Sequence, residues 1–146
     1  MRKSFLAACV LAMAFTLAMT NASAQDDFYK GKTVRIIVGA AAGGGYDTYS
    51  RIIARHMGKH IAGNPTFVVD NMPGAGFLIS ANYMYKVAKP DGLTIGHLIG
   101  GLFLQQLLGK PGVEFDGTKF GFIGVPTQDN YVIGISKKTG VTSMDQ

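Results

Sequence analysis

The sequence predicts an α/β fold built on a parallel sheet. One unit occurs three times in succession: an apolar β-branched run, a loop of small residues, and a stretch with helical spacing. Strands that alternate with helices are joined by right-handed crossovers, so the strands run parallel and the loops after them share one edge. In open sheets of this kind, ligands bind at that edge.

The first unit is the clearest. Val34, Ile36, Ile37 and Val38 read as a buried strand. Gly39 to Gly45 then holds four glycines and three alanines, with no side chain larger than a methyl. The next stretch places Tyr49, Ile52, Ile53, Met57 and Ile61 on one helical face, with Arg51, Arg55 and Lys59 opposite. The first amides of a helix lack intrahelical partners, and the helix dipole adds about half a positive charge there. Glycines let a ligand approach that backbone, so the loop reads as an anion site for phosphate or carboxylate. The alternative is a tight strand-to-helix turn with no ligand. Asp47 likewise reads either as a helix N-cap or as a ligand contact.

Neither nucleotide motif is present. The phosphate loop G-x-x-x-x-G-K-[ST] fails because Gly44 is followed by Gly45 and Tyr46 and not by lysine. The fingerprint G-x-G-x-x-G fails at Ala41 when started from Gly39, and at Thr48 when started from Gly43.

Gly63-Asn64-Pro65 stops the first helix, and Thr66 to Asp70 forms the second strand. A second small-residue loop, Asn71 to Gly76, leads into a helix over Phe77 to Ala88 whose Leu78, Ala81, Tyr85 and Ala88 share a face. Lys89 to Gly92 is a turn. Leu93 to Leu98 is the third strand, Gly100-Gly101 follow it, and Phe103 to Leu108 is a short helix ended by Gly109 to Gly112. Phe120 to Pro126 and Tyr131 to Ser136 read as further strands. Ser143 to Gln146 fits a capping box, which opens a helix, so the chain reads as interrupted there.

Residues 1–24 read as an export signal: Arg2 and Lys3, an apolar Phe5 to Met19, and the small-x-small site Ala22-Ser23-Ala24. The apolar run is too short to span a bilayer with these flanks. Leu6 to Cys9 resembles a lipoprotein box but comes too early, with most of the apolar region behind it. Cleavage after Ala24 removes the single cysteine and leaves twelve Lys/Arg against nine Asp/Glu, a net charge of +3. With no disulfide, no thiol and no basic run, the composition gives nucleic-acid binding no support. The remaining 122 residues suffice for one modest core.

Three stretches carry a family resemblance. Ala42-Gly43-Gly44-Gly45-Tyr46-Asp47, Asn71-Met72-Pro73-Gly74-Ala75-Gly76 and Val87-Ala88-Lys89-Pro90-Asp91-Gly92-Leu93-Thr94 match, in order and spacing, patterns of the substrate-binding proteins of tripartite tricarboxylate transporters, the Bug family. The chain resembles that family from about Phe28 onward. The resemblance implies a periplasmic binding protein-like, type II-like fold of two α/β lobes, of which residues 25–136 would be the first and 137–146 the start of the crossing to the second. It implies an exported, periplasmic protein that closes on a small organic carboxylate and delivers it to membrane permease subunits. It needs no cofactor or metal.

The ligand carboxylate would be held mostly by backbone amides, around Ala42, Gly43, Gly44, Gly45, Asp47, Pro73, Gly74, Ala75 and Gly76, with Gly100 and Gly101 nearby. Two places depart from the family. Gly39-Ala40-Ala41 stand where it has a proline and an aromatic residue. Phe77 and Leu78 stand where it often has glycine and a polar residue, which favours a ligand more apolar than citrate. The length is about half a family member, so the chain by itself is expected to bind acids weakly and to associate.

Two other classes remain open: a ligand-sensing subunit for a membrane kinase, and an exported enzyme on a nucleotide-type fold. The sequence offers no nucleophile paired with a base. His56 and His60 are four apart and could bind metal, or simply lie on the helix surface.

Overall fold

A computed structural model of the protein describes residues 28–127, 134–140 and Ser143. Three parallel strands form the sheet: β1 (Thr33–Val38), β2 (Thr66–Asn71) and β3 (Thr94–His97), in the order β2-β1-β3. The register sets Thr33 beside Thr66 and Val38 beside Asn71 on one side, and Arg35 beside Thr94 and Val38 beside His97 on the other. The central place of β1 explains its composition. A strand covered on both faces needs a nearly continuous apolar run, and Val34, Ile36, Ile37 and Val38 are all buried.

Three helices follow the strands: α1 (Gly45–Met57), α2 (Leu78–Lys86) and α3 (Gly101–Leu107). The chain moves from β1 to one neighbour and then back past β1 to the other, so α1 and α2 lie on opposite faces. Gly58, at the end of α1, faces Pro65 and Phe67 of the β2 side, and Ser50 of α1 reaches His97 of β3. On the other face, Tyr83 of α2 accepts a hydrogen bond from Arg35, which also pairs with Asp70. A second, smaller core gathers Ala81 of α2, Leu102 of α3 and Phe115, with Leu78, Tyr85, Phe103 and Phe120 packed around it. Asn82 ties this region to α2, donating to the Gly112 carbonyl and accepting from the Glu114 amide.

Three details differ from the sequence reading. The buried residues of α1 are Asp47 and Ser50, whereas Tyr49 and Ile52 are exposed. Polar partners at the strand ends claim the inward face, and the apolar stripe turns partly to solvent. Phe120 to Pro126 does not form a strand, and from Gly121 onward it runs as irregular, exposed chain. Phe77 and Leu78 are not a free ligand surface, since both are half-buried against the second core. The strand expected at Tyr131 to Ser136 and the capping box at Ser143 to Gln146 lie mostly outside the described residues. No helix among the described residues is long and apolar enough to cross a membrane.

Candidate functional site

The order β2-β1-β3 reverses direction between β1 and β3, and at their carboxyl ends the fold leaves the crevice that open α/β sheets use for ligands. The loop after β1 and the loop after β2 both reach this edge.

Asp47 joins them. It is not the N-cap of α1; Gly44 holds that place with extended backbone, and Asp47 sits in the first turn. From there its carboxylate reaches back to accept the Gly43 amide at 2.8 Å, as an acid three residues into a helix does in a capping box. The same oxygen accepts Arg51 Nε at 2.9 Å, one turn further along α1. The other oxygen accepts Asn71 Nδ2 at 3.0 Å, from the end of β2. Asn71 also donates to the Ala40 carbonyl at 3.0 Å and accepts from Arg51 Nη2 at 3.1 Å. First loop, first helix and second loop are thereby fastened through one nearly buried carboxylate.

The Arg51 guanidinium, with the Gly43 amide and Asn71, holds the Asp47 carboxyl down at about 2. A depressed folded-state value stabilises the fold above the unfolded value near 3.9 and ceases to as pH falls toward 2. We expect a loss of thermal stability between about pH 4 and pH 2, read by circular dichroism. It should be smaller in Asp47→Asn; an identical acid profile in that variant would assign the loss to other carboxylates.

The second loop is wound left-handed. Gly74 has φ 138°, and Ala75, Gly76 and Phe77 have φ 45°, 59° and 71°. Left-handed backbone costs a non-glycine residue about 1–3 kcal/mol and concentrates at functional sites. The turn places the Phe77 ring 4.8 Å from that of Tyr46, across the gap between the loops. Tyr46 also lies 4.9 Å from the His97 ring at the end of β3. His97 Nδ1 is 2.7 Å from Ser50 Oγ. Burial pushes the imidazole below its usual range, opposed by a bond to the Tyr46 backbone.

The residues expected at the site are therefore brought to one edge, though not into one wall. Ala42, Gly43, Gly44 and Gly45 are exposed in the first loop, and Pro73, Ala75 and Gly76 in the second. Gly45 and Gly100 line a groove that runs along β3 beneath residues 120–127, and the second loop lies outside it. Gly101 opens α3, only seven residues long. Sequence reasoning missed Asn71, Arg51, Ser50 and His97 as site-forming side chains. It also saw no nucleophile beside a base, whereas Ser50 and His97 are so placed; Ser50 is fully buried, out of reach of a substrate. His56 and His60 are both exposed, and no group of metal-ligating side chains occurs among the described residues.

No protein-family model matches the chain. It is 36% identical over 100 residues to a UPF0065 protein encoded in the gbd 5′ region of Cupriavidus necator, covering 66% of this chain and 30% of that one. It is 31% identical over 90 residues to a UPF0065 protein of Bordetella bronchiseptica, covering 62% and 26%. A UPF0065 protein of Agrobacterium vitis is 39% identical over 95 residues, covering 65% and 25%. The chain spans less than a third of the length of each of these curated relatives, and over that span it is similar to UPF0065 proteins.

Proposed function

We propose that this chain forms the anion-binding portion of an exported, periplasmic solute-binding protein that captures a small organic carboxylate for a tripartite tricarboxylate-type transporter. The observation that carries the reading is the joining of two small-residue loops by Asp47 and Asn71 at the point where the strand order reverses. UPF0065, the name borne by its relatives, corresponds to the tripartite tricarboxylate receptor proteins.

In this reading the ligand is met by backbone. Both Asp47 oxygens are taken by protein donors, so Asp47 positions the loop and does not touch the ligand. The Gly43 amide is taken by Asp47 and that of Gly44 by the Ala41 carbonyl, so the Gly45 and Tyr46 amides that open α1 are the ones that lie where its dipole favours negative charge. The Gly74–Gly76 turn brings further exposed backbone of the second loop to the same edge. The function is binding rather than chemistry. A second lobe would close over the acid and exclude water, which strengthens each amide–carboxylate bond. Permease subunits would then receive the closed form.

Calorimetry of the full-length protein against organic acids, and against NAD and ATP, tests this. The expected result is saturable binding of at least one carboxylate and none of either nucleotide. Tight nucleotide binding with no response to any acid would overturn it.

A further inference from the structure

The groove along β3 contains a single side chain that can become a cation near neutral pH. Its described lining includes no Lys, Arg, Asp or Glu. From α1 it receives Gly45, Tyr46 and Tyr49, from the strand His97, and from the far side Phe122, Ile123 and their neighbours. The groups packed against His97 are accordingly neutral. They include the Tyr46 ring, the Ser50 hydroxyl on α1, and Val38 beside it in the sheet, while the charged side chains on the same turns of α1, Asp47 and Arg51, pair with each other. Tyr46 and Tyr49 are the phenols of the groove.

On the carboxylate reading above, on which this inference rests, we propose that His97 is the titratable counter-charge of the anion site and takes up a proton when a carboxylate binds. The placement is suited to that role. Its ring is held to the same helical turn whose first amides would receive the anion, through the Tyr46 backbone and through Ser50. A serine hydroxyl can donate to a neutral imidazole nitrogen and accept from a protonated one, so the ring keeps its place in both states. His97 acts through space: with its nitrogens engaged by the protein, it supplies charge and not a contact. Without ligand, burial keeps the imidazole below its usual value and hence neutral at pH 7. A bound anion favours the charged form and raises that value.

The sign of the pH dependence follows. Above both values His97 is neutral with or without ligand, and affinity is at its lower level. Affinity rises as pH falls through the value of the complex, and levels off below that of the free protein. One added charge at the site is expected to give about a tenfold gain between pH 8.5 and pH 5.5.

The test is calorimetry of the full-length protein with benzoate, pyruvate and tartrate across that range, in buffers of differing ionisation enthalpy, which counts protons taken up. Net uptake near neutral pH and tighter binding at low pH are expected in the wild type, with both lost in His97→Gln. The wild-type proton count stands by itself if that variant folds poorly. Binding without uptake, or uptake that persists in His97→Gln, would overturn the role of His97 and leave the carboxylate reading intact. A response to none of these acids or of a wider acid panel, at any pH, would overturn both.

Discussion

Gly39→Val should destabilise the full-length protein by about 3 kcal/mol, at the upper end of the usual range for overpacking a filled site, and weaken acid binding with it. Gly39 follows directly on β1 and is buried. A Cβ there would lie 2.2 Å from Phe77 Cδ1 and 2.5 Å from Ser80 Oγ. Ser80 is fully buried and donates to the Phe77 carbonyl at 2.8 Å, so it cannot swing aside without stranding its hydroxyl. The ring must therefore move, and it carries the left-handed turn of the second loop. The two departures from the Bug pattern thus meet in space: a small residue in the first loop accommodates a large one in the second. A second substitution, Phe77→Gly, should recover part of the loss, because it removes the clash and suits the φ of 71°. Thermal unfolding of the single and double variants measures the coupling. Purely additive effects would show that the ring and Gly39 do not share one space.

The sheet was legible in the sequence because its signals are local. Four apolar β-branched residues in β1, a glycine loop and a stop at Gly63-Asn64-Pro65 each act within a few residues, and strand, loop and helix follow one another as read. The α/β class and the parallel order follow from that alternation. The inward face of α1 was not legible. Periodicity favours Tyr49 and Ile52, but burial is decided by where the carboxyl ends of β2 and β3 place Asn71 and His97, 24 and 47 residues away from their partners Asp47 and Ser50. A buried aspartate held by three donors has no helical-period signature. Residues 121–125 look like a strand by composition, yet among the described residues no strand lies beside β3 on that side to pair with them. Gly43 to Gly45 and Gly74 to Gly76 could be found as a pair because small residues before a helix are themselves the signal; their fastening by Asp47 and Asn71 could not.

Asp47→Asn is expected to weaken carboxylate binding by about tenfold or more, even in a folded protein. Were Asp47 only a helix N-cap, asparagine would serve as well, since both cap helices about equally. The geometry removes that equivalence. Both Asp47 oxygens accept: Gly43 and Arg51 on one, Asn71 on the other. An amide offers one acceptor and two donors. Whichever way it turns, its NH2 confronts either the Asn71 amide or the Gly43 amide and Arg51. If the Asn71 contact is lost, the second loop is tied to the first by the bond from Asn71 to Ala40, without the carboxylate that also fixes Gly43 and Arg51. If the Gly43 contact is lost, the first loop is free to open. Either outcome leaves binding amides off their common focus, and preorganised sites lose much of their strength when displaced by about an ångström. Asn71→Ala should reproduce the effect from the other side of the bond, and the double variant should lose little more than either single change. Calorimetry with the best-bound acid, beside thermal unfolding, separates binding from stability. Full affinity in both single variants would show that the two loops hold the anion geometry without this bond.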